Sequence, residues 1–195
     1  MLPFLGAAAL AFGAIFIAEF GDKSQLLVLA FATRHAALPV IAGIVVAAAT
    51  VQALSVVVGA ALGAALPETL ITVVAGLAFL GVAAWTLRDT VDEEEEARVA
   101  VETRRERPAI ALAAVVAGTF IVSELGDKTM LATFALAARQ DPIATWVGAT
   151  TGMVAANVVA VGRQLGARLS PKVIRIGSAV LFAIAGVLVL ASALR

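Results

Sequence analysis

The chain has no cysteine and no tyrosine, one histidine and two tryptophans among its 195 residues. Without cysteine there is no disulfide framework and no thiolate metal site. The single histidine, His35, rules out the imidazole clusters that hold Zn²⁺ or Cu²⁺. It falls at the end of an apolar run and reads as an interfacial loop residue. Charge is scarce too. Asp, Glu, Lys and Arg make up 14% of the chain and balance to a formal net charge of zero, which leaves no basic footprint for a nucleic-acid partner. Apolar residues fill the rest: 62% of the chain, with a mean hydropathy of +1.02. Soluble domains run at roughly 45–50% apolar, so an ordinary soluble domain is excluded. The first 18 residues carry no basic residue and read as the start of a membrane helix rather than as a cleaved signal peptide.

Uncharged stretches mark the spans. Ala36 to Leu66, Thr69 to Leu87, Ile143 to Gly162 and Ile176 to Leu194 contain no charged residue. Each is long enough for the ~20 helical residues that cross a hydrocarbon core. Leu2 to Ala18 with Leu26 to Ala32, and Ile110 to Val122 with Met130 to Ala138, form two further apolar segments, each interrupted by a short charged motif. Each such segment is about 30 residues, roughly 45 Å if wholly helical, so it is either strongly tilted or broken near Gly21 and Gly126. The expected architecture is all-α and integral to the membrane. It has six transmembrane helices in two three-helix repeats, residues 1–88 and 109–195, joined by a charged linker at 89–108. The linker runs from Asp92 and Glu93–Glu96 to Arg104, Arg105 and Arg107 and reads as a solvated loop.

The interrupting motif is one hexapeptide used twice. Glu19-Phe20-Gly21-Asp22-Lys23-Ser24 returns 105 residues later as Glu124-Leu125-Gly126-Asp127-Lys128-Thr129. The same offset pairs Gly43 with Gly148 and Gln52 with Asn157, both amides inside the second span of their half. Basic residues give the orientation. Apart from Lys23 and Lys128, ten Lys and Arg fall on the linker side and two, Arg139 and Arg195, on the other. By the positive-inside bias the linker is cytoplasmic and both termini lie outside. Three spans per half is an odd number, so the halves run in opposite senses, an arrangement that in transporters places a site at the midplane.

Ionisable residues at membrane depth are costly and mark function. On a continuous helix Glu19 and Asp22 share a face, and Lys23 can pair with Glu19. If the copies meet, Glu19, Asp22, Glu124 and Asp127 converge, with Ser24, Thr129, Gln52 and Asn157 as further oxygen donors. An all-oxygen set suits hard divalent ions such as Ca²⁺, Mg²⁺ and Mn²⁺. Four carboxylates and two ammonium groups leave a net charge of −2, which one divalent cation or two protons neutralise. The same groups can then alternate between metal and protons, with Lys23 and Lys128 tethering or replacing the ion. A structural Glu–Lys lock between two helices is the plainer alternative. Thr50, Ser55, Thr150 and Thr151 read as helix-bonding hydroxyls, Gly43, Gly148, Gly59, Gly63 and Gly152 as close-packing positions, and Trp85 and Trp146 as interfacial anchors.

The paired Glu-x-Gly-Asp-Lys-Ser/Thr motifs, in two three-helix halves around an acidic loop, resemble a family of calcium/manganese–proton antiporters. Its eukaryotic members serve the Golgi and chloroplasts, its bacterial members look like manganese exporters, and it is distantly similar to the cation/calcium exchangers. The resemblance covers nearly the whole chain. It implies Glu19, Asp22, Glu124 and Asp127 as the ion-binding carboxylates, with Lys23, Ser24, Lys128 and Thr129 completing the motifs. It also implies a multi-pass protein of the bacterial cytoplasmic membrane, working as monomer or homodimer on a divalent cation and protons, with no prosthetic group and no enzymatic step. One position departs from the commoner bacterial pattern: Gln25 is kept, but Met130 stands in its place in the second copy. Met130 reads either as helix packing or as a soft thioether that favours Mn²⁺. The competing functions are an exporter of small organic solutes, a passive divalent channel and an intramembrane aspartyl protease using Asp22 and Asp127.

Overall fold

The computed structural model describes residues 2–19, 22–88, 108–163 and 171–193, all of them in helices or short connections, with no strand among them. Phe20, Gly21, the charged linker at 89–107 and the loop at 164–170 lie outside the described residues, and so does the side chain of Lys23. Among the described residues eight helices follow in order: α1 (Leu2–Glu19), α2 (Lys23–Ala32), α3 (Ala37–Ala65), α4 (Glu68–Arg88), α5 (Ala109–Glu124), α6 (Lys128–Ala137), α7 (Pro142–Arg163) and α8 (Pro171–Ala193). Ala- and Leu-rich sequence favours helix throughout, and proline punctuates it where the missing N–H does no harm. Pro67 and Pro108 precede α4 and α5, and Pro142 and Pro171 open α7 and α8. The Asp141 carboxylate accepts the Ala144 N–H at 2.8 Å and so caps the start of α7.

Among the described residues three helices are long and apolar enough to cross a membrane: Ala37–Ala65, Glu68–Arg88 and Pro142–Val161. The pair α5–α6 makes a fourth if counted as one broken span, bent by 76°. Large apolar side chains such as Val46, Val57, Leu77 and Leu188 stand exposed along the helices, as lipid-facing surface requires.

Element boundaries repeat at the 105-residue offset. Helices α1 and α5 end on Glu19 and Glu124, α2 and α6 cover corresponding ten-residue stretches, α3 and α7 begin at Ala37 and Pro142, and α4 and α8 end at Arg88 and Ala193. Packing repeats as well. Helix α1 lies along α7 and α5 along α3, while α3 meets α7 and α4 meets α8. Exchanging the halves turns the first contact into the second and leaves the last two unchanged.

The closest helix approaches follow the same rule. A Cβ at Gly43 would meet the Ala113 carbonyl oxygen at 2.7 Å and the Val116 Cβ at 2.8 Å, and one at Gly148 would run into the Ala8 carbonyl and meet the Ala11 Cβ at 3.0 Å. All three residue pairs (Gly43 and Gly148, Ala8 and Ala113, Ala11 and Val116) are 105 apart. Gly59, Gly63 and Gly152 likewise sit against backbone carbonyls of neighbouring helices. Thr50, Ser55 and Thr151 bond back to carbonyls of their own helices, as expected, whereas the buried Thr150 hydroxyl has no hydrogen bond among the described residues. Trp146 does more than anchor at an interface: its indole N–H donates to the Ala49 carbonyl at 3.0 Å and ties α7 to α3.

Gly148→Val forces backbone out of contact and is expected to cost about 1–3 kcal/mol, the usual scale of overpacking. A Cβ at Gly81 meets nothing within 4 Å, so Gly81→Ala serves as the neutral control. Thermal unfolding in detergent reads the difference as a lower Tm for the first variant alone.

Candidate functional site

The second motif segment is broken where Gly126 stands, and in both copies one helix ends at the glutamate and the next begins at the lysine, so the site is assembled from helix ends rather than from one helical face. In each copy the Asp N–H donates to the Glu carbonyl, Asp22 to Glu19 and Asp127 to Glu124, both at 3.2 Å. Gly126 takes φ +83°, a left-handed conformation that a residue with a Cβ adopts at a cost of about 1–2 kcal/mol. The C-termini of α1 and α5 and the N-termini of α2 and α6 therefore meet at the motifs. The negative dipole end of the one helix favours a cation, while the opposing N-terminus favours the carboxylates.

Glu19, Asp22, Glu124 and Asp127 are all buried, at 4% exposure or less. The two glutamates are held in the same way by their own motifs. The Ser24 hydroxyl donates to Glu19 Oε1 at 2.6 Å and the Thr129 hydroxyl to Glu124 Oε2 at 3.0 Å. Asn157, on α7, adds a second donor to Glu19 Oε1 at 2.9 Å and also bonds the Met153 carbonyl of its own helix at 3.0 Å. The expected Lys23–Glu19 pair lies outside the described residues. In the second copy the helix ends at Glu124, and Lys128 reaches across the halves, with Nζ 2.9 Å from Asp22 Oδ1.

The four carboxylates are neighbours without forming a closed cage. Glu19, Asp22 and Asp127 all lie within electrostatic reach of Glu124, yet among the described residues no three acidic or histidine side chains converge tightly enough to hold one metal ion. Several acceptors stand unused. Glu19 Oε2, Asn157 Oδ1 and both Asp127 oxygens are buried with no well-formed hydrogen bond among the described residues, although Asp22 and the Lys128 N–H lie beside Asp127. Buried acceptors without donors are costly, and these are all oxygens. That is the donor chemistry of a hard cation.

The remaining expected residues divide. The Gln25 amide donates to the Ala156 carbonyl at 3.2 Å and ties α2 to α7. The Met130 sulfur takes the Gly126 N–H at 3.3 Å, folded back over its own break. Gln52 does not reach Glu124; its carbonyl accepts the Thr133 hydroxyl at 2.7 Å and its amide nitrogen lies 3.8 Å from the Met153 sulfur. Thr133 and Met153 are the residues that sequence reasoning passed over. Both carry a positional signal: Thr133 is one helical turn beyond Thr129, and Met153 one turn before Asn157.

Comparison with known proteins agrees with this chemistry. The profile of the family described as "Divalent cation/proton antiporter GDT1" matches residues 7–94 and 111–195. A protein of Vibrio cholerae named "Putative manganese exporter" is 33% identical over 158 residues, covering 79% of this chain and 74% of its own length. The chloroplastic protein PAM71 of Arabidopsis thaliana is 34% identical over 200 residues, covering 89% of this chain and 54% of its own length. A chloroplastic GDT1-like protein 1 of Oryza sativa is 36% identical over 104 residues, which is 49% of this chain and 30% of the relative. No solved structure matches.

Removing one member of a buried ion pair is commonly worth about 3–5 kcal/mol, because the other charge stays behind. Lys128→Met is therefore expected to destabilise the protein strongly. Asp22→Asn in the same chain should recover most of that loss. A thermal-unfolding double-mutant cycle checks both.

Proposed function

The chain belongs to the GDT1 family of divalent cation/proton antiporters, and from that premise we propose that it exports Mn²⁺, with Ca²⁺ as second candidate, by alternating access at the four motif carboxylates. The family transports ions, so the chain is a membrane transporter and not an enzyme. The observation that carries the reading is the set of buried, unsatisfied oxygens of Glu19, Asn157 and Asp127 beside an Asp22 whose counter-ion is Lys128. The arrangement is that of a cation site with a protein ammonium in the cargo's place.

Ion entry requires Lys128 to release Asp22, and the Glu19 and Asp127 oxygens to turn onto the metal. Protons neutralise the same carboxylates when the metal leaves. A site of net charge −2 takes one M²⁺ or two H⁺, so exchange of one for two leaves the loaded forms equal in charge. Neither loaded form then bears the large penalty of an uncompensated charge at membrane depth. Ser24, Thr129 and Asn157 position the two glutamates in the meantime. Lys23 belongs to the same machinery as the counterpart of Lys128.

For the whole chain, we read six spans in two inverted repeats, with α1–α2 and α5–α6 as broken spans, the linker cytoplasmic and both termini outside. The offset shared by helix boundaries, Gly contacts and hydrogen bonds supports the duplication, and the basic-residue asymmetry supports the orientation. The relative named for manganese export supports the cargo and a bacterial cytoplasmic membrane.

The test is metal flux in proteoliposomes under an imposed pH gradient, with Mn²⁺ and Ca²⁺ compared. Flux should follow the proton gradient and fall to background in Glu19→Gln and Asp127→Asn. Flux indifferent to pH would mean a passive channel. Strongly charge-moving exchange would rule out one metal for two protons.

A further inference from the structure

Gln52 and Asn157 hold corresponding places in the two halves but face different partners. Asn157 points its amide nitrogen at Glu19 and leaves its carbonyl oxygen without a hydrogen bond among the described residues. Gln52 has its carbonyl oxygen taken by the Thr133 hydroxyl at 2.7 Å and its amide nitrogen turned to the Met153 sulfur. The cause is readable in the duplication. At the 105-residue offset Thr133 corresponds to Val28 and Met153 to Ala48, neither of which has a polar or thioether atom to offer. The second half thus carries two side chains that the first lacks, and both hold the same amide.

Thr133 also departs from the back-bonding that several other threonines in this bundle show. A hydroxyl inside a helix ordinarily bonds the carbonyl one turn back, as Thr72, Thr86, Thr119 and Thr151 do here. The Thr133 hydroxyl instead spans from α6 to α3. Thr133, Gln52 and Met153 are all fully buried, so no water competes from bulk for that contact.

We infer that Thr133, seconded by Met153, is a specificity-determining residue that withholds the Gln52 carbonyl oxygen from the transported ion. The inference rests on the antiporter reading above. An ion among the motif carboxylates can draw on the amide oxygen of Asn157 and is denied the one from Gln52. The loss is not the same for every cation. Ca²⁺ takes roughly six to eight oxygens in a flexible shell. Mn²⁺ is satisfied by about six in octahedral array. Holding one neutral oxygen back disfavours Ca²⁺ more than Mn²⁺. Thr133 acts through Gln52 and is a positioning residue rather than a ligand.

The experiment is Ca²⁺ competition against proton-driven Mn²⁺ flux in proteoliposomes. Thr133→Val installs the side chain present at the corresponding place in the first half. It frees the Gln52 carbonyl, and should raise the potency of Ca²⁺ relative to Mn²⁺ about five- to tenfold, the scale of one neutral polar contact. Thr133→Ser keeps the hydroxyl and should keep the wild-type ratio. Thr133→Val with Gln52→Leu has no oxygen to release and should return to that ratio. An unchanged Ca²⁺/Mn²⁺ ratio in Thr133→Val, with both fluxes lowered alike, would overturn the inference and leave the antiporter standing. A full shift persisting in the double variant would do the same, because Gln52 would not be its cause. A wild type that moves neither ion with the proton gradient would remove the antiporter reading and this inference together. Should Thr133→Val fail to fold, Gln52→Leu alone decides: an altered ratio there means that the oxygen was not withheld.

Discussion

Everything in this protein is arranged around the cost of keeping four carboxylates and at least one ammonium group inside an apolar helical bundle. An isolated charge in a low-dielectric interior costs several kcal/mol or more even after relaxation, and lipid offers no water to relieve it. The chain meets that cost by breaking its own helices at the charges. The negative dipole end of one helix and the positive end of the next come together at each motif, and so supply partial charges of both signs where ionised side chains need them. Continuous helices through Glu19 and Glu124 would have no such ends there.

The breaks need glycine and close packing. Gly126 stands in a left-handed conformation at the second break, and Gly43 and Gly148 let α3 and α7 come against α5 and α1. The second of those contacts brings the amide of Asn157 on α7 to Glu19 on α1. The site is thus interdigitated, since the second half supplies a wall of the first half's motif. Lys128 paired with Asp22 is the same principle in charge form.

Duplication alone would make the two halves of the site equivalent, and they are not. Glu19 is held by a hydroxyl and an amide, Glu124 by a hydroxyl among the contacts described. The difference lies in the layer behind the motifs, where Thr133 and Met153 replace the aliphatic side chains of the first half. A single transported ion does not need two identical half-sites. It needs a coordination shell of particular size, and departures from the repeat are where such a shell can be trimmed.

Much of this was legible in the chain itself. Hydropathy, the lack of Cys and the presence of only one His excluded a soluble domain and a soft-metal site, because transfer free energy and ligand type are properties of residues wherever they sit. The repeated hexapeptide marked the carboxylates, and Gly126 marked the second break, because charge at membrane depth and a missing Cβ atom each have few explanations. The pairings were not legible. That Lys128 meets Asp22 rather than Glu124, that Gln52 turns to Thr133 rather than to its glutamate, and that Trp146 ties α7 to α3 depend on where helix ends and faces meet. No spacing along one helix encodes a contact made across two. Composition and the repeated motif are enough to set the membrane environment and the oxygen-rich acidic cluster; which of those oxygens are left without a donor is a matter of tertiary packing, because only the fit between the halves fixes which donors are already taken.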